Sequence, residues 1–406
     1  MTRLLDGIRV VEWGGWHAGP GGTALLGDLG AEVIKIEGRI DGDPERASKA
    51  LGSFSLEIPG GGGRTLLFEA SGRNKKSITL DITKPEGKEI AYRLVDQADV
   101  FLTNHRKSVV AKQGFEYDTL RKRNPRLVYA HVSAFGRNGP DADLGGYDFQ
   151  GQARSGFMTA MGPPGIPPLL IHLGVVDQMT AFTASYAVIA ALLARERHGF
   201  GQEVHASLLG SAMCLLYCNI LSAQLLGKDV PRHDRSGPGN PLRNYYQCQD
   251  GKWVMLTHNP GQRYWPQFCQ ALGISDLIDD PRFHSDAARG QNANELVAIL
   301  DQAFATKPRE QWLAIARQAK LLFGPVNFVT DLADDPQVLA NDYLVDLDFP
   351  GLGLVKVPGF PIQFSETPAK VRSAAPELGE HTEEVLSTLL GLSSSDLDDL
   401  RQREII

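Results

Sequence analysis

Short β-branched runs alternate with helix-forming stretches through the first half of this chain. The strand-like runs are residues 8–13, 32–37, 77–81, 100–104 and 126–133. The stretches between them are long enough for a helix, and the clearest begins at Pro85 and ends near Asp96. Strands separated in this way favour a parallel sheet with right-handed crossovers. The alternation therefore predicts an α/β fold with helices covering the sheet.

The pattern changes after Gly210. Residues 227–244 are rich in Pro, Gly, Arg and Asp, which is typical of a linker or an active-site loop. Residues 245–256 have a hairpin pattern with Asp250-Gly251 at the turn, and helical segments follow to about Gln318. A chain of 406 residues is expected to form two domains, or one large domain with an insertion.

Composition indicates a globular protein, with 42% hydrophobic and 22% charged residues. The net charge of −7 argues against nucleic acid or an anionic membrane as the main partner. No secretory signal is evident, and the most apolar run, residues 180–193, is shorter than a membrane span. The four cysteines make no disulfide framework, and Cys214 and Cys218 are expected to be buried thiols rather than metal ligands. We expect a cytoplasmic protein that binds no metal.

Two features could bind phosphate. Gly19-Pro-Gly-Gly follows a strand and enters a predicted helix that ends at Gly30, so its amides could face an anion. It lacks the spacing of the dinucleotide fingerprint and the Lys of a P-loop. Basic residues cluster at Asn74-Lys-Lys-Ser77, at Asn104-His-Arg-Lys107 and at Lys112. Taken alone, a glycine cluster at a helix start is more often structural, and an individual basic residue more often belongs to a solvated face.

Asp177 opens a long apolar stretch that contains no other acid before Glu196. A carboxylate at a helix N-terminus faces unpaired amides and the positive end of the helix dipole. Such a group is expected to stay ionised and to be held still. Two interpretations follow: Asp177 caps its helix, or it is a nucleophile.

Taken together and in order, the motifs of this chain resemble those of the class III CoA-transferase family, which includes formyl-CoA:oxalate and carnitine CoA-transferases. The resemblance covers nearly the whole chain. The motifs are Leu5-Asp-Gly-Ile-Arg-Val-Val-Glu, Leu29-Gly-Ala-Glu-Val-Ile-Lys-Ile-Glu37, Gly42-Asp-Pro44, Asn74-Lys-Lys-Ser-Ile-Thr-Leu-Asp81, Phe135-Gly-Arg-Asn-Gly-Pro140, Gly146-Tyr-Asp148 and Pro376-Glu-Leu-Gly-Glu-His-Thr382.

The resemblance implies a Rossmann-like large domain built from both chain ends, a smaller central α+β domain and an interlocked dimer. The corresponding limits are 1–205 for the first part of the large domain, 206–228 for a linker helix, 229–325 for the small domain and 326–406 for the return. A homodimer is expected, and a hetero-oligomer with a related chain is the alternative. The active site would lie between the large and the small domain.

The implied activity is transfer of CoA from an acyl-CoA to a carboxylic acid. Asp177 matches the nucleophile of the family, which forms a mixed anhydride and then an aspartyl–CoA thioester. Such a reaction uses CoA as a substrate and needs no tightly bound cofactor. Amides at the start of the Asp177 helix, or in the glycine loop of residues 236–240, are candidate donors to the oxyanion.

The resemblance also assigns contacts to CoA. His17 and Ala18 match positions that border the thiol end and the active site. Further matches along the CoA pocket are Lys75, Asn104, His105 and Lys112. Some members have an adenine-stacking Arg where this chain has Gly38, and the neighbouring Arg39 is expected to replace it.

Tyr147 separates two branches of the superfamily. The related 2-methylacyl-CoA racemases have His at this position, whereas a tyrosine hydroxyl is a poor base near neutral pH. Transfer is therefore favoured over racemisation, although His172 lies near Asp177 in sequence and could be invoked as a base. A non-catalytic CoA-binding subunit is a third reading, against which Asp177 argues. Trp13, Trp16, His17 and Arg243 permit an aromatic or dicarboxylic substrate without selecting one, and a packed tryptophan core explains the first two equally well.

Overall fold

The structure, a computed structural model, describes residues 2–406. Within these residues the strands in chain order are β1 (Arg9–Trp13), β2 (Glu32–Glu37), β3 (Ala50–Leu51), β4 (Phe54–Ser55), β5 (Lys75–Thr79), β6 (Val100–Thr103), β7 (Val128–Ser133), β8 (Glu203–Ser207), β9 (Tyr245–Gln247), β10 (Trp253–Leu256), β11 (Phe323–Val326), β12 (Leu344–Phe349) and β13 (Gly353–Pro358).

The α-helices of the described residues are α1 (Ala18–Asp28), α2 (Pro44–Ala47), α3 (Leu66–Gly72), α4 (Pro85–Asp96), α5 (Lys107–Gln113), α6 (Tyr117–Arg123), α7 (Asp148–Arg154), α8 (Phe157–Ala160), α9 (Val175–His198), α10 (Leu208–Leu215), α11 (Tyr217–Leu226), α12 (Trp265–Leu272), α13 (Asp286–Gln291), α14 (Ala293–Phe304), α15 (Arg309–Gln318), α16 (Pro336–Ala340), α17 (Thr382–Leu390) and α18 (Ser394–Gln402).

Six parallel strands form the central sheet, in the order β5-β2-β1-β6-β7-β8. Counted within the sheet, this is the order 3-2-1-4-5-6 of doubly wound folds, which reverses direction between β1 and β6. The inner strands are buried on both faces, and Val11, Ile34 and Phe101 have no exposed surface. The predicted α/β class with a parallel sheet is confirmed.

Contacts divide the chain into two units. The first contains the described residues up to Thr159 together with Leu170–Asp229 and Gln337–Ile406, and the second contains Ala160–Leu169 and Val230–Pro336. In the first unit the chain end returns to the sheet, since the Asp81 amide donates to the Ile405 carbonyl over 2.7 Å. The domain limits inferred above stay a prediction.

The second unit has its own core. Strands β9, β10 and β11 form an antiparallel sheet, which confirms the hairpin predicted over residues 245–256. Helices α12, α14 and α15 contribute Phe268, Phe304 and Trp312 to this core, all fully buried. The second unit therefore buries its hydrophobic side chains among its own strands and helices.

The glycine cluster after β1 is not a phosphate loop. Gly19, Gly21 and Gly22 lie inside α1 and are buried, and α1 packs against α9 there. A Cβ atom at Gly22 would stand 3.2 Å from the Ala181 carbonyl oxygen, so the absence of a side chain lets the two helices approach closely. The expected loop is therefore corrected to a helix that carries a packing surface.

Two further expectations need correction. The apolar helix α9 has 24 residues, so by length and composition it could cross a membrane, contrary to the shorter run read from the sequence. Buried helices of globular proteins pass the same test, and α9 packs on the sheet of the first unit through Val188, Ala191 and Leu192. Cys214 and Cys218 are exposed rather than buried.

Candidate active site

A cavity of about 1240 Å³ opens at the carboxyl ends of the central strands. Its walls include Trp16 and His17, which follow β1, and Asn104 and His105, which follow β6. In a doubly wound sheet the ligand crevice forms where the strand order reverses, which here is between β1 and β6. The topology therefore selects this cavity, all of whose lining residues belong to the first unit.

Hydrogen bonds hold the loop after β1 in one conformation. Asn104 accepts from the Gly15 amide (3.1 Å) and donates to the Gly15 carbonyl (2.6 Å). The Trp16 amide donates to Asp43 Oδ1 over 3.1 Å, and Trp16 has a φ of 61°, which is unusual for a residue with a side chain. This conformation brings the Trp16 ring against Tyr147, with 5.3 Å between ring centroids.

A buried ion cluster supports that loop from below. Lys35 Nζ lies 2.6 Å from Glu12 and 2.7 Å from Asp43, while Lys75 Nζ lies 2.6 Å from the other Glu12 oxygen. Although burial opposes ionisation, the two ammonium groups lower the pKa of Glu12 to about 2. Lys35 also donates to the Gly14 carbonyl, so the cluster joins the sheet to the cavity loop.

His17 is a neutral group facing the cavity. Burial lowers its pKa, which keeps the imidazole uncharged near neutral pH. Its Nε2 lies 2.8 Å from the side-chain oxygen of Gln178, an acceptor, so Nε2 carries the proton. The other nitrogen, Nδ1, is buried with no hydrogen-bond partner among residues 2–406.

The amides that open α9 are capped by an acid from another helix. Helix α9 begins at Val175 after Gly174, so Asp177 is its third residue and not its N-cap. The Oδ1 atom of Asp148 accepts from the Val176 amide (2.6 Å) and the Asp177 amide (3.0 Å). These two amides therefore cannot donate to a reaction oxyanion in this arrangement, which corrects one of the expected donor sets.

Asp177 is a half-buried acid whose carboxylate oxygens have no hydrogen-bond donor within residues 2–406. Burial, with a further contribution from the Asp148 charge, raises the pKa of Asp177 to about 7. The expectation that the helix end keeps this group fully ionised is therefore wrong, because burial, and after it the Asp148 charge, favours the protonated form. The result is a carboxylate of raised basicity that lines the cavity.

Most of the predicted site residues come together. Those that line the cavity are His17, Ala18, Asn104, His105, Tyr147 and Asp177. Lys75 is fully buried and its ammonium group is bound by Glu12 and the Pro20 carbonyl, so it does not reach the cavity. Lys112 is exposed on α5 and lies outside the cavity lining.

Arg39 lies at a different place. It pairs with Glu404 over 3.2 Å and borders a separate, more open groove of about 670 Å³ that also contains Arg401. Of the other residues considered, His172 stacks edge-on against Phe149 and is not part of the cavity lining. Trp13 packs on His105 and Phe115, which agrees with a structural role.

Asp148 and Glu45 line the cavity without a role assigned from the sequence, whereas Arg106 and Lys107 belong to a basic run that was a candidate for phosphate binding. Asp148 was part of a motif, but its hydrogen bonds to the α9 amides cannot be read from the sequence. Glu45 follows an Asp-Pro pair, which indicates only that a helix starts there. Arg106 and Lys107, at the start of α5, are the Arg and Lys side chains among the residues that line the cavity. Their presence in the basic run after β6 was the available signal.

The described residues contain no group of three or more His, Cys, Asp or Glu side chains arranged to hold a metal ion. Apart from Tyr147, the ionisable side chains that line the cavity are three acids (Glu45, Asp148 and Asp177), three histidines (His17, His105 and His131), Arg106 and Lys107. This combination suits covalent catalysis on an anionic ligand.

Comparison with known proteins gives the family. The sequence model of CoA-transferase family III matches residues 5–382. An acyl-CoA transferase of Fusarium pseudograminearum is 33% identical over 99% of this chain and 88% of its own length. Succinyl-CoA–D-citramalate CoA-transferase of Chloroflexus aurantiacus is 33% identical over 100% of this chain and 98% of its own length.

A solved structure agrees with these relatives. A CAIB/BAIF family protein from Brucella suis has a TM-score of 0.85 and 31% identity, over 96% of this chain and 100% of that one. The resemblance inferred from the motifs is thus confirmed. The chain belongs to CoA-transferase family III and is an enzyme of that kind.

Proposed function

We propose that this enzyme moves CoA from an acyl-CoA to a free carboxylic acid with Asp177 as the nucleophile. The observation that carries the proposal is a carboxylate without hydrogen-bond donors that lines the cavity at the switch point of the sheet. The relatives named above include a transferase between succinyl-CoA and D-citramalate, which supports a carboxylic acid as acceptor.

The first half of the reaction loads the enzyme. The Asp177 carboxylate attacks the thioester carbonyl carbon, the C–S bond breaks and CoA leaves as the thiolate, giving a mixed anhydride. The thiolate then attacks the Asp177 carbonyl carbon, and the donor acid leaves as its carboxylate. The product is an Asp177–CoA thioester, so the thioester energy is kept in a covalent bond.

The second half reverses these steps with another acid. The acceptor carboxylate attacks the Asp177 carbonyl carbon and expels the CoA thiolate, forming a new anhydride. The thiolate attacks the acceptor acyl carbon, which releases acyl-CoA and the free Asp177 carboxylate. No proton is gained or lost overall, and no ATP is consumed.

The cavity has complementary places for the parts of CoA. Arg106 and Lys107 supply the positive charge that phosphate groups need. His17 and Ala18 lie next to the α9 end that carries Asp177, as expected for residues at the thiol end. The volume of about 1240 Å³ exceeds that of ordinary drug-sized pockets and suits a ligand as long as CoA.

The intermediate can be trapped. Incubation with a panel of acyl-CoA esters followed by hydroxylamine should convert Asp177 to a hydroxamate, found by mass spectrometry of the Asp177 peptide. Asp177→Asn should give no adduct, while His172→Asn, outside the cavity, should give as much as the parent protein. A hydroxamate on another residue would contradict the proposal, and rapid α-deuterium incorporation without any adduct would favour the racemase instead.

The loading step should depend on pH. Only the ionised carboxylate attacks, so the rate of Asp177–CoA formation should rise with pH through about 7 and then level off. Asp148→Asn keeps an oxygen acceptor for the α9 amides but removes a negative charge, so the rise should move to lower pH. Quenched-flow mass spectrometry from pH 5.5 to 9 measures both. A profile that falls through neutral pH, or an unchanged midpoint in Asp148→Asn, would contradict this assignment.

Assembly and location complete the proposal. Exposed apolar side chains follow one another along α10 and α11, including Met213, Leu215 and Tyr217, and a second copy of the chain would cover them. This supports the dimer expected from the family resemblance. A cytoplasmic location fits the absence of a disulfide among the four cysteines.

A further inference from the structure

Among the charged side chains below the cavity, every acid has a basic partner except one. Three acids and three bases form the balanced set: Glu12, Glu37, Asp43, Lys35 and Lys75, which are buried, and Arg46, which is partly exposed. Each base contacts an acid of this set. Glu45 is a fourth acid, only 1% exposed, and no base contacts it. Burying a charge without a partner is costly, so the free energy favours the neutral form of this carboxyl group.

Its surroundings agree with a neutral carboxyl group. Burial, together with the Asp43 charge and a smaller contribution from Asp177, raises the pKa of Glu45 to about 8, against the opposing effects of Ser71 and Lys35. Ser71 donates to Oε2 over 2.5 Å, and in this arrangement Oε1 is the oxygen left to carry the proton of the neutral acid. Oε1 has no hydrogen-bond partner among residues 2–406.

Glu45 forms a polar point in an apolar wall. Helix α2, which carries it, packs on α3, and the Thr65 hydroxyl donates to the Glu45 carbonyl over 2.7 Å. Next to Ser71 on α3, Leu66, Leu67 and Ala70 line the same cavity as Glu45. The cations of the cavity, Arg106 and Lys107, come instead from the loop after β6. The α2–α3 wall therefore suits an uncharged chain and not the phosphates of CoA.

We propose that Glu45 donates a hydrogen bond from Oε1 to an oxygen atom on the acyl chain, so that the enzyme selects apolar acids bearing a hydroxyl or carbonyl oxygen near the reacting carboxyl group. This inference rests on the transfer at Asp177 proposed above. A chain without that oxygen leaves a buried donor unpaired, which is the kind of contact that discriminates strongly between substrates. Glu45 is thus a specificity-determining residue that contacts the substrate.

The test compares binding of matched thioesters. The probes are butanoyl-CoA, α-hydroxybutanoyl-CoA and β-hydroxybutanoyl-CoA, titrated by calorimetry into full-length Asp177→Asn protein, which cannot react. With Glu45 present, at least one hydroxy ester should bind about tenfold more tightly than butanoyl-CoA. Glu45→Leu should bring this ratio close to one, because the leucine removes the donor and retains the volume.

Glu45→Gln is the matched control, since its amide N–H still donates and it should keep most of the preference. Circular dichroism and thermal melting show whether each variant folds. A ratio near one with Glu45 present, or the same preference in Glu45→Leu, would overturn the inference.

The experiments can reject the role of Glu45 and the transfer at Asp177 independently of each other. Hydroxamate formation is measured in protein that keeps Asp177, with Glu45 or with Glu45→Leu. An Asp177 adduct together with an unchanged binding ratio in Glu45→Leu rejects the role of Glu45 alone. Loss of the ratio in Glu45→Leu, without any adduct at Asp177, supports the contact and rejects the mechanism of transfer.

Discussion

Replacing Asp177 by alanine should reduce CoA transfer by about 10³-fold or more, because the covalent route is lost with the nucleophile. The substitution removes a half-buried group that makes no hydrogen bond within residues 2–406, so it leaves the fold and the α9 cap in place. Initial rates of acyl exchange, followed by liquid chromatography of the CoA esters, measure the change.

Measuring how tightly Asp177→Ala binds CoA esters shows whether the substitution affects the chemical step or substrate binding. Because Arg106 and Lys107 remain, the dissociation constant for the donor ester should change by less than about threefold in Asp177→Ala. Asp177→Glu is the matched variant: it keeps the charge but displaces the carboxylate along one more methylene, and it should retain only a small part of the activity. Transfer within tenfold of the parent rate in Asp177→Ala would reject Asp177 as the nucleophile.

Replacing Glu12 by leucine should lower the free energy of unfolding by about 3–5 kcal/mol, since two buried ammonium groups would lose their shared carboxylate. Glu12 has no exposed surface and binds both Lys35 and Lys75, with the Thr23 hydroxyl as a further donor. Urea unfolding monitored by circular dichroism gives the change, with the slope compared between variants.

An exposed ion pair provides the control for this prediction. Lys356 and Asp346 lie 3.2 Å apart with side chains that are 42% and 60% exposed. Asp346→Ala should change the free energy of unfolding by less than about 1 kcal/mol. If Glu12→Leu were as mild as this control, the buried cluster would not be a main source of stability in the first unit.

The layered fold could be predicted because it depends on local patterns. Strand β2 and helix α4 have the predicted bounds, since β-branched alternation and a Pro at a helix start are local signals. Strand β5 begins two residues earlier than expected, at Lys75. Lys75 is buried although β5 is an edge strand, and a buried lysine needs an acid to neutralise it; that acid, Glu12, is distant in the sequence.

The site was only partly predictable for the same reason. The family resemblance assigned Asp177, His17, Asn104 and Tyr147 to the site, and all four line one cavity. The Asp148 cap joins α7 to α9 through contacts that no local spacing encodes. The glycines of α1 look like a loop in isolation, and only the close packing of α9 explains why they are helical.

The split between the two sides of the cavity has a consequence for protein engineering. The charged cluster belongs to β1, β2, β5 and the turn before α2, whereas the apolar wall includes Leu51, Leu56 and Leu66 from the short β3–β4 ribbon and the start of α3. This ribbon pairs with itself and not with the central sheet. If the acyl chain lies against this wall, as proposed above, libraries confined to residues 48–56 should change which acid is accepted without altering the elements that hold Asp177.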